Sequence, residues 1–225
     1  MYKFLTFVVS FTVLLCALMS CVKNDPPVGS KATVNVNVIN ASDEVLNIYL
    51  NGTRQNNATG IFPLGSNGYT PISRGNQVLA FRKQFNTTNF TDADTLFTLP
   101  LRLDSVGPTV RYSVFIGGTT RSTAFTVLDT LQNDEKNARL RFVTASPAVT
   151  GFRVFLNDTL RFTSKSFKLA STFNPVGNGQ KIIKIRPITG ENVLYTSTVT
   201  LNAGLNYTLF SAGSGTNFRA GLVVN

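Results

Sequence analysis

Apolar residues recur at every second position over much of this chain. Val34, Val36 and Val38 alternate with Asn35 and Asn37, and Leu140 and Phe142 alternate with Arg139 and Arg141. Val199 and Leu201 flank Thr200, while Leu205, Tyr207 and Leu209 flank Asn206 and Thr208. A period of two places alternate side chains on opposite faces of an extended backbone, so these segments read as half-buried β-strands. Their Val, Ile, Phe, Tyr and Thr content suits a pleated surface. Past residue 20 no amphipathic stretch with a 3.6-residue period survives. Asn51-Gly52 is a two-residue hairpin signal, because both residues tolerate positive φ. Asn157-Asp158 and Asn202-Ala203-Gly204 read as turns of the same kind. The glycines at 117–118 and 213–215 follow strands with no helix behind them, so they are turn glycines and do not cradle phosphate.

The chain repeats itself after about one hundred residues. T-V-N-V-N-V-I-N-A-S (33–42) and L-N-I-Y-L-N-G-T (46–53) reappear as A-R-L-R-F-V-T-A-S-P (138–147) and G-F-R-V-F-L-N-D-T (151–159). G-N-Q-V-L-A-F-R (75–82) returns as G-Q-K-I-I-K-I-R (179–186), and R-Y-S-V-F-I-G-G (111–118) as N-Y-T-L-F-S-A-G (206–213). Four matched blocks in one order define two copies of one domain, 33–131 and 138–225, joined by the polar linker 132–137 (Q-N-D-E-K-N). About seven short strands per copy fits an all-β fold, two tandem immunoglobulin-like antiparallel β-sandwiches.

The second-copy blocks A-R-L-R-F-V-T-A-S-P, F-R-V-F-L-N-D-T and G-Q-K-I-I-K-I-R-P, together with V-T-L-N-A-G-L-N-Y-T-L-F (199–210), resemble domain of unknown function 4397. That module is a β-sandwich of secreted proteins and lipoproteins, often from Bacteroidota. The resemblance is weaker in the first copy, where 86–94 (N-T-T-N-F-T-D-A-D) reads as a lengthened loop. It implies fold and location and carries over no functional residue.

The first twenty residues form a targeting segment. Lys3 is followed by the apolar run 4–19, slightly shorter than a transmembrane helix requires. The run ends in Leu18-Met19-Ser20-Cys21, which resembles the lipobox of bacterial lipoproteins. That resemblance implies a signal peptide over 1–20, a lipidated N-terminal Cys21 and a lipid anchor in the outer membrane, with residues 21–32 as a flexible tether. The other reading is an ordinary secretory signal with an incidental cysteine. Cys16 lies within the removed segment, so the mature domains keep no thiol for a disulfide or a metal.

Composition narrows the chemistry. The chain has no His, which excludes Ser-His-Asp and Cys-His hydrolases and imidazole-ligated zinc. A non-enzymatic protein with no metal and no cofactor is expected. The net charge is +10, and it is unevenly placed: from residue 136 onward eleven Lys and Arg face only Asp158 and Glu191. Arg139 and Arg141 share one strand face and Lys184 and Arg186 another, extended by Arg153, Arg161, Lys165 and Lys168. If those strands are neighbours, they form a basic sheet for an anionic glycan, lipopolysaccharide or an acidic protein. The alternative is a solvated face whose lysines discourage edge pairing. Nucleic acid is not expected, because aromatics do not interleave with the basic residues.

Other candidates are sparse. Asp92 and Asp94 are paired carboxylates of the kind that hydrolyse glycosides, or else solvated turn residues. Asp43-Glu44 could contribute to a calcium site but lacks the alternating acidic spacing of a calcium loop. Asp-Ser/Thr pairs before a small or aliphatic residue, at Thr95, Ser105, Thr130 and Thr159, resemble the O-glycosylation acceptor of Bacteroidota; they also suit the passage from turn to strand. Two function classes follow: a non-enzymatic envelope lipoprotein that binds or scaffolds, and a carbohydrate-binding accessory of glycan uptake with Tyr49, Tyr69 and Tyr195 as stacking residues.

Overall fold

The computed structural model describes residues 32–86, 91–104, 106–147, 151–213 and 217–225, with side chains omitted at 86 and 91–93. Residues 33–225 form one compact unit. In the first copy the strands are β1 (Thr33–Asn40), β2 (Leu46–Leu50), β3 (Thr53–Arg54), β4 (Thr70–Ser73), β5 (Gly75–Asn86), β6 (Thr91–Leu103), β7 (Val110–Ile116) and β8 (Ala124–Thr130). In the second they are β9 (Arg139–Thr144), β10 (Phe152–Leu156), β11 (Thr159–Ser164), β12 (Asn174–Pro175), β13 (Gly179–Pro187), β14 (Tyr195–Leu201), β15 (Asn206–Ala212) and β16 (Arg219–Val224). The first copy pairs its strands as β4-β1-β7-β8 and β3-β2-β5-β6, and the second repeats this as β12-β9-β15-β16 and β11-β10-β13-β14. The repeat read from sequence is therefore a repeat of topology. Pairing is antiparallel except for β1 with β7 and β9 with β15, which run parallel.

Turn chemistry sets the hairpins. Asn51 and Gly52 have φ of 48° and 87°, and Asn157 and Asp158 have 48° and 64°, the two consecutive positive values of a type I′ turn. Asn202-Ala203-Gly204 is different. It carries the chain from β14 in one sheet to β15 in the other, so it is a crossover turn and not a hairpin. Part of the 86–94 stretch is strand: β5 runs to Asn86 and β6 starts at Thr91, pairing with three irregularities of register, while 87–90 lie outside the described residues.

Each sandwich closes over its own core. Val34, Val36, Val38, Ile48, Leu79 and Phe81 fill the first, and Leu140, Phe142, Phe152, Val154, Ile183 and Ile185 the second. A third apolar cluster joins them: Ile39, Ala41 and Phe115 from the first copy meet Val143, Ala145, Phe210 and Ala212 from the second. These are corresponding positions in the repeat, so the contact is reciprocal. The Phe115 ring stacks on Phe125 at 5.3 Å and meets Phe210 edge-on at 5.9 Å. Small residues let the backbones approach: a Cβ at Gly117 would lie 2.4 Å from the Ala145 carbonyl oxygen. The Gly213 N–H donates to the Ala41 carbonyl at 3.2 Å.

This junction changes what alternation means. Asn37, Ser113, Arg141 and Thr208 all sit on the polar side of their strands, yet all are buried. Their sheets are covered on one face by their own core and on the other by the neighbouring copy. Truncating Phe210 to Ala should cost about 3–5 kcal/mol, the range for a fully buried aromatic. Leu128, which is 53% exposed, should lose little on the same change. Urea denaturation of both variants checks this.

Candidate functional site

The four arginines and lysines grouped by sequence do not form one face. β9 lies in the sheet β12-β9-β15-β16 and β13 in β11-β10-β13-β14, so Arg139 and Arg141 are separated from Lys184 and Arg186 by the core of the second sandwich. Arg139 and Arg141 do share a strand face, but that face is turned toward the first copy. Arg139 pairs with Asp134 of the linker at 3.2 Å. Arg141 is 1% exposed and pairs with Asp129 of β8 at 2.5 Å. Neither is available to an external anion.

A closed ring of polar side chains surrounds the Asp129–Arg141 pair. Arg141 Nε donates to Thr208 Oγ1 at 2.8 Å, and the Thr208 hydroxyl donates to Asn225 Oδ1 at 2.5 Å. Asn225 Nδ2 donates to the Tyr69 hydroxyl at 2.8 Å, and that hydroxyl donates to Asp129 Oδ2. Ser113 donates to the same carboxylate oxygen at 2.5 Å. The guanidinium of Arg141 also lies over the Phe173 ring, 4.5 Å from its centroid, and that of Arg111 over Tyr69 at 4.7 Å. Arg141 and Phe173 open onto a groove of about 390 Å³ along the junction, edged by Leu128, Thr130 and Ser171. Burial first, then the charge and hydrogen bond of Asp129, hold the Tyr69 hydroxyl well above its ordinary pKa.

Arg153, Lys184 and Arg186 share the outer face of β11-β10-β13-β14. Arg153 and Arg186 stand directly opposite each other across β10 and β13. Both reach the same carboxylate, Glu191, at 3.0 and 2.5 Å. Lys184 pairs with Asp158 at 2.7 Å. The Arg186 guanidinium lies 5.2 Å from the Phe155 centroid, and the corresponding pair in the first copy, Arg82 over Tyr49, is at 4.4 Å. Hydrogen bonding and charge from Arg153, and then from Arg186, lower the pKa of Glu191. The hydrogen bond and charge of Lys184 do the same for Asp158. Arg161 on β11 and Lys165 just beyond it are exposed, and Lys168 lies over the Phe167 ring at 5.5 Å.

The other candidates scatter. Asp92 and Asp94 lie in strand β6, not in a loop; Asp94 is exposed and the Asp92 side chain is outside the described residues. Asp43 pairs with Arg219 of the second copy and Glu44 with Lys83, so this pair of acids is committed to ion pairs within the chain. Among the described residues no group of three His, Cys, Asp or Glu could hold a metal. Thr95, Thr130 and Thr159 are exposed, while Cys21 and Ser105 lie outside the described residues. Tyr69 is part of the junction and is lost as a stacking residue. Sequence reasoning missed Asp129 as a partner for Arg141, although an acid in the otherwise uncharged strand A-F-T-V-L-D-T was a visible signal.

A tandem β-sandwich with a polar interdomain lock and one outward basic sheet is the class this geometry defines. The chain belongs to the family Domain of unknown function (DUF4397), whose profile matches residues 34–152 and 138–225. Among curated proteins none matches this sequence. Two solved structures are similar over most of their length: a "putative cell adhesion protein" from Bacteroides uniformis and another from Bacteroides ovatus. They share 10% and 9% identity, each alignment covering 86% of this chain and 98% of the other, with a TM-score of 0.25 in both cases.

Removing either partner of the buried pair, by Asp129→Asn or Arg141→Met, should cost about 3–5 kcal/mol, because the remaining group is stranded. The double variant Asp129→Leu/Arg141→Met should recover much of this in a denaturation cycle. The raised Tyr69 pKa also has a sign. The stability it contributes is fully present below the ordinary tyrosine value of 10.0 and is lost as pH rises from there toward the folded-state value. Stability should therefore fall more steeply above about pH 10 in the parent than in Tyr69→Phe, as thermal melts across that range would record.

Proposed function

We propose that this chain is a non-enzymatic lipoprotein of the cell envelope, held at the outer membrane through Cys21. Its docked sandwiches present the outer sheet of the second copy to an anionic partner, whether acidic glycan, lipopolysaccharide phosphate or acidic protein. The observation that carries the reading is the Arg153–Arg186 pair. Two guanidiniums face each other across adjacent strands and share one carboxylate, that of Glu191, which is 72% exposed. Guanidinium forks suit carboxylate and phosphate geometry, and exposed ion pairs of this kind are weak enough for a competing anion to exchange. The anion set is thus Arg153, Lys184 and Arg186, with Arg161 at the margin, in place of the quartet that included Arg139 and Arg141.

A carbohydrate-binding accessory of glycan uptake is the less favoured reading. Tyr69 is sequestered, and the rings of Tyr49 and Phe155 are capped by Arg82 and Arg186. Anchoring rests on Leu18-Met19-Ser20-Cys21 at the end of the apolar run.

Binding to lipopolysaccharide vesicles should weaken as salt rises and should fall at least tenfold in Lys184→Glu/Arg186→Glu, read by co-sedimentation. No salt dependence, or an unchanged double variant, would overturn the anion reading. Metabolic palmitate label should appear on the parent and vanish in Cys21→Ala. Protease shaving of intact cells then decides which side of the outer membrane the domains occupy.

A further inference from the structure

Every sheet has two edge strands, and an edge is a row of backbone groups open to another strand unless it is blocked. Most edges here are blocked. β3 and β12 have two residues each, and β4 contains Pro71. β11 carries a register irregularity and Arg161, and β8 and β16 hold the Asp129 and Arg219 that tie the copies together. β6 contains Pro100 and Arg102 and has an irregular register with β5. β14 differs. Tyr195–Leu201 (Y-T-S-T-V-T-L) has no charge, no Pro and no Gly, and pairs with β13 over seven residues without a shift.

The two copies make this contrast an internal comparison. Thr198 stands opposite Ile182, and Pro100 opposite Val78, at the same place in the repeat. Thr200 likewise corresponds to Arg102, through Gln180 and Asn76. The Ile182 carbonyl accepts from Asn157 N–H at 2.9 Å, and its N–H donates to Asn157 Oδ1 at 2.8 Å. Both backbone groups of Ile182 thus point at β10, so those of Thr198 point away from β13, toward the open edge. Val78 is bound to Asn51 in the same way, so the first copy has placed a residue lacking an N–H where the second offers a free one.

We infer that β14 is the interface for a second copy of this chain, pairing antiparallel with the same strand about a two-fold axis through Thr198. An isologous contact must be complementary to itself, and this strand is. Thr198 falls opposite the second copy's Thr198, and Thr196 opposite its Thr200, on the outer face. On the inner face Ser197 meets Val199 and Tyr195 meets Leu201. Thr–Thr and apolar cross-strand pairs are favourable, and no charge on the strand opposes its own image. Thr196, Thr198 and Thr200 each present their N–H and C=O outward, which continues the hydrogen-bond ladder between copies.

The edge also has apolar surface to bury. Val193 and Leu194 are 47% and 36% exposed, and Tyr195 and Val199 are only half-buried, whereas Ile183 and Ile185 beside them are fully covered. Pairing yields one continuous eight-stranded sheet and sets two Cys21 anchors in one assembly. It does not depend on whether the basic face binds an anion.

Register-specific cross-linking of the full chain tests this, since its native cysteines are confined to positions 16 and 21. In detergent with a mild oxidant, Thr198→Cys alone should give a disulfide-linked dimer, because directly opposed residues about 5.5 Å apart at Cα suit the bond. Thr196→Cys alone should not, but mixed with Thr200→Cys it should. Adding Thr198→Pro to both members of that mixture should reduce cross-linking at least tenfold with an unchanged circular dichroism spectrum. If Pro disturbs the fold, Ser197→Arg in an otherwise identical mixture replaces it. No cross-link at Thr198, equal cross-linking by Thr196→Cys alone, or indifference of a folded Thr198→Pro or Ser197→Arg chain would each overturn the proposal.

Discussion

The ion pair between Asp129 and Arg141 is the constraint on which the arrangement of the two sandwiches depends. A charge fully removed from water is tolerated only when it is paired and its other hydrogen-bonding positions are filled. Here Asp129 comes from the last strand of one copy and Arg141 from the first strand of the other, and Tyr69, Ser113, Thr208 and Asn225 complete the ring. The pair specifies more than it stabilises. Asn37 occupies the place of Arg141 in the first copy, and Asn225 the place of Asp129 in the second. A copy docked against its own kind would bury Asp129 against Asn37, or Arg141 against Asn225, and leave a charge without a counterion. Only the heterologous pairing satisfies both.

The charge imbalance of the chain follows from the same arrangement. Asp43, Asp129 and linker residue Asp134 serve Arg219, Arg141 and Arg139 of the second copy, so part of its basic excess is internal wiring. What remains outside includes Arg153, Arg186 and Lys184 around two exposed carboxylates, Arg161 exposed at the sheet margin, and Lys165, Lys168 and Lys181. The first copy keeps the aromatic–arginine motif of that sheet, as Tyr49 with Arg82, but carries Asn47 and Ala80 where the second has Arg153 and Lys184. Duplication thus left one inner face shared between the copies and let the outer faces diverge. The edges diverged too, with Pro100 and Arg102 in one copy against Thr198 and Thr200 in the other.

Local features of the fold were legible wherever local physics decides them. The repeat, the extended strands, and the type I′ turns at Asn51-Gly52 and Asn157-Asp158 depend on side-chain alternation and positive φ, which neighbouring residues specify. The turn at 202–204 was misread because a Gly-containing turn looks the same whether it closes a hairpin or crosses between sheets. The grouping of Arg139 and Arg141 with Lys184 and Arg186 failed for a similar reason. Period two reports which residues share a strand face, but it contains no information on which sheet a strand joins.

By itself, then, the sequence determined an all-β chain built twice, with no histidine and a basic second half. Tertiary structure alone decided which of those basic residues are buried and which face outward. A polar residue on the far side of a strand faces water if its sheet is a surface and a neighbour if its sheet is a junction. Alternation is identical in the two cases. Arg141 and Arg186 stand in similar strand patterns, yet one lies buried against Asp129 and the other faces outward, because long-range packing of one sandwich on the other determines which sheet faces meet.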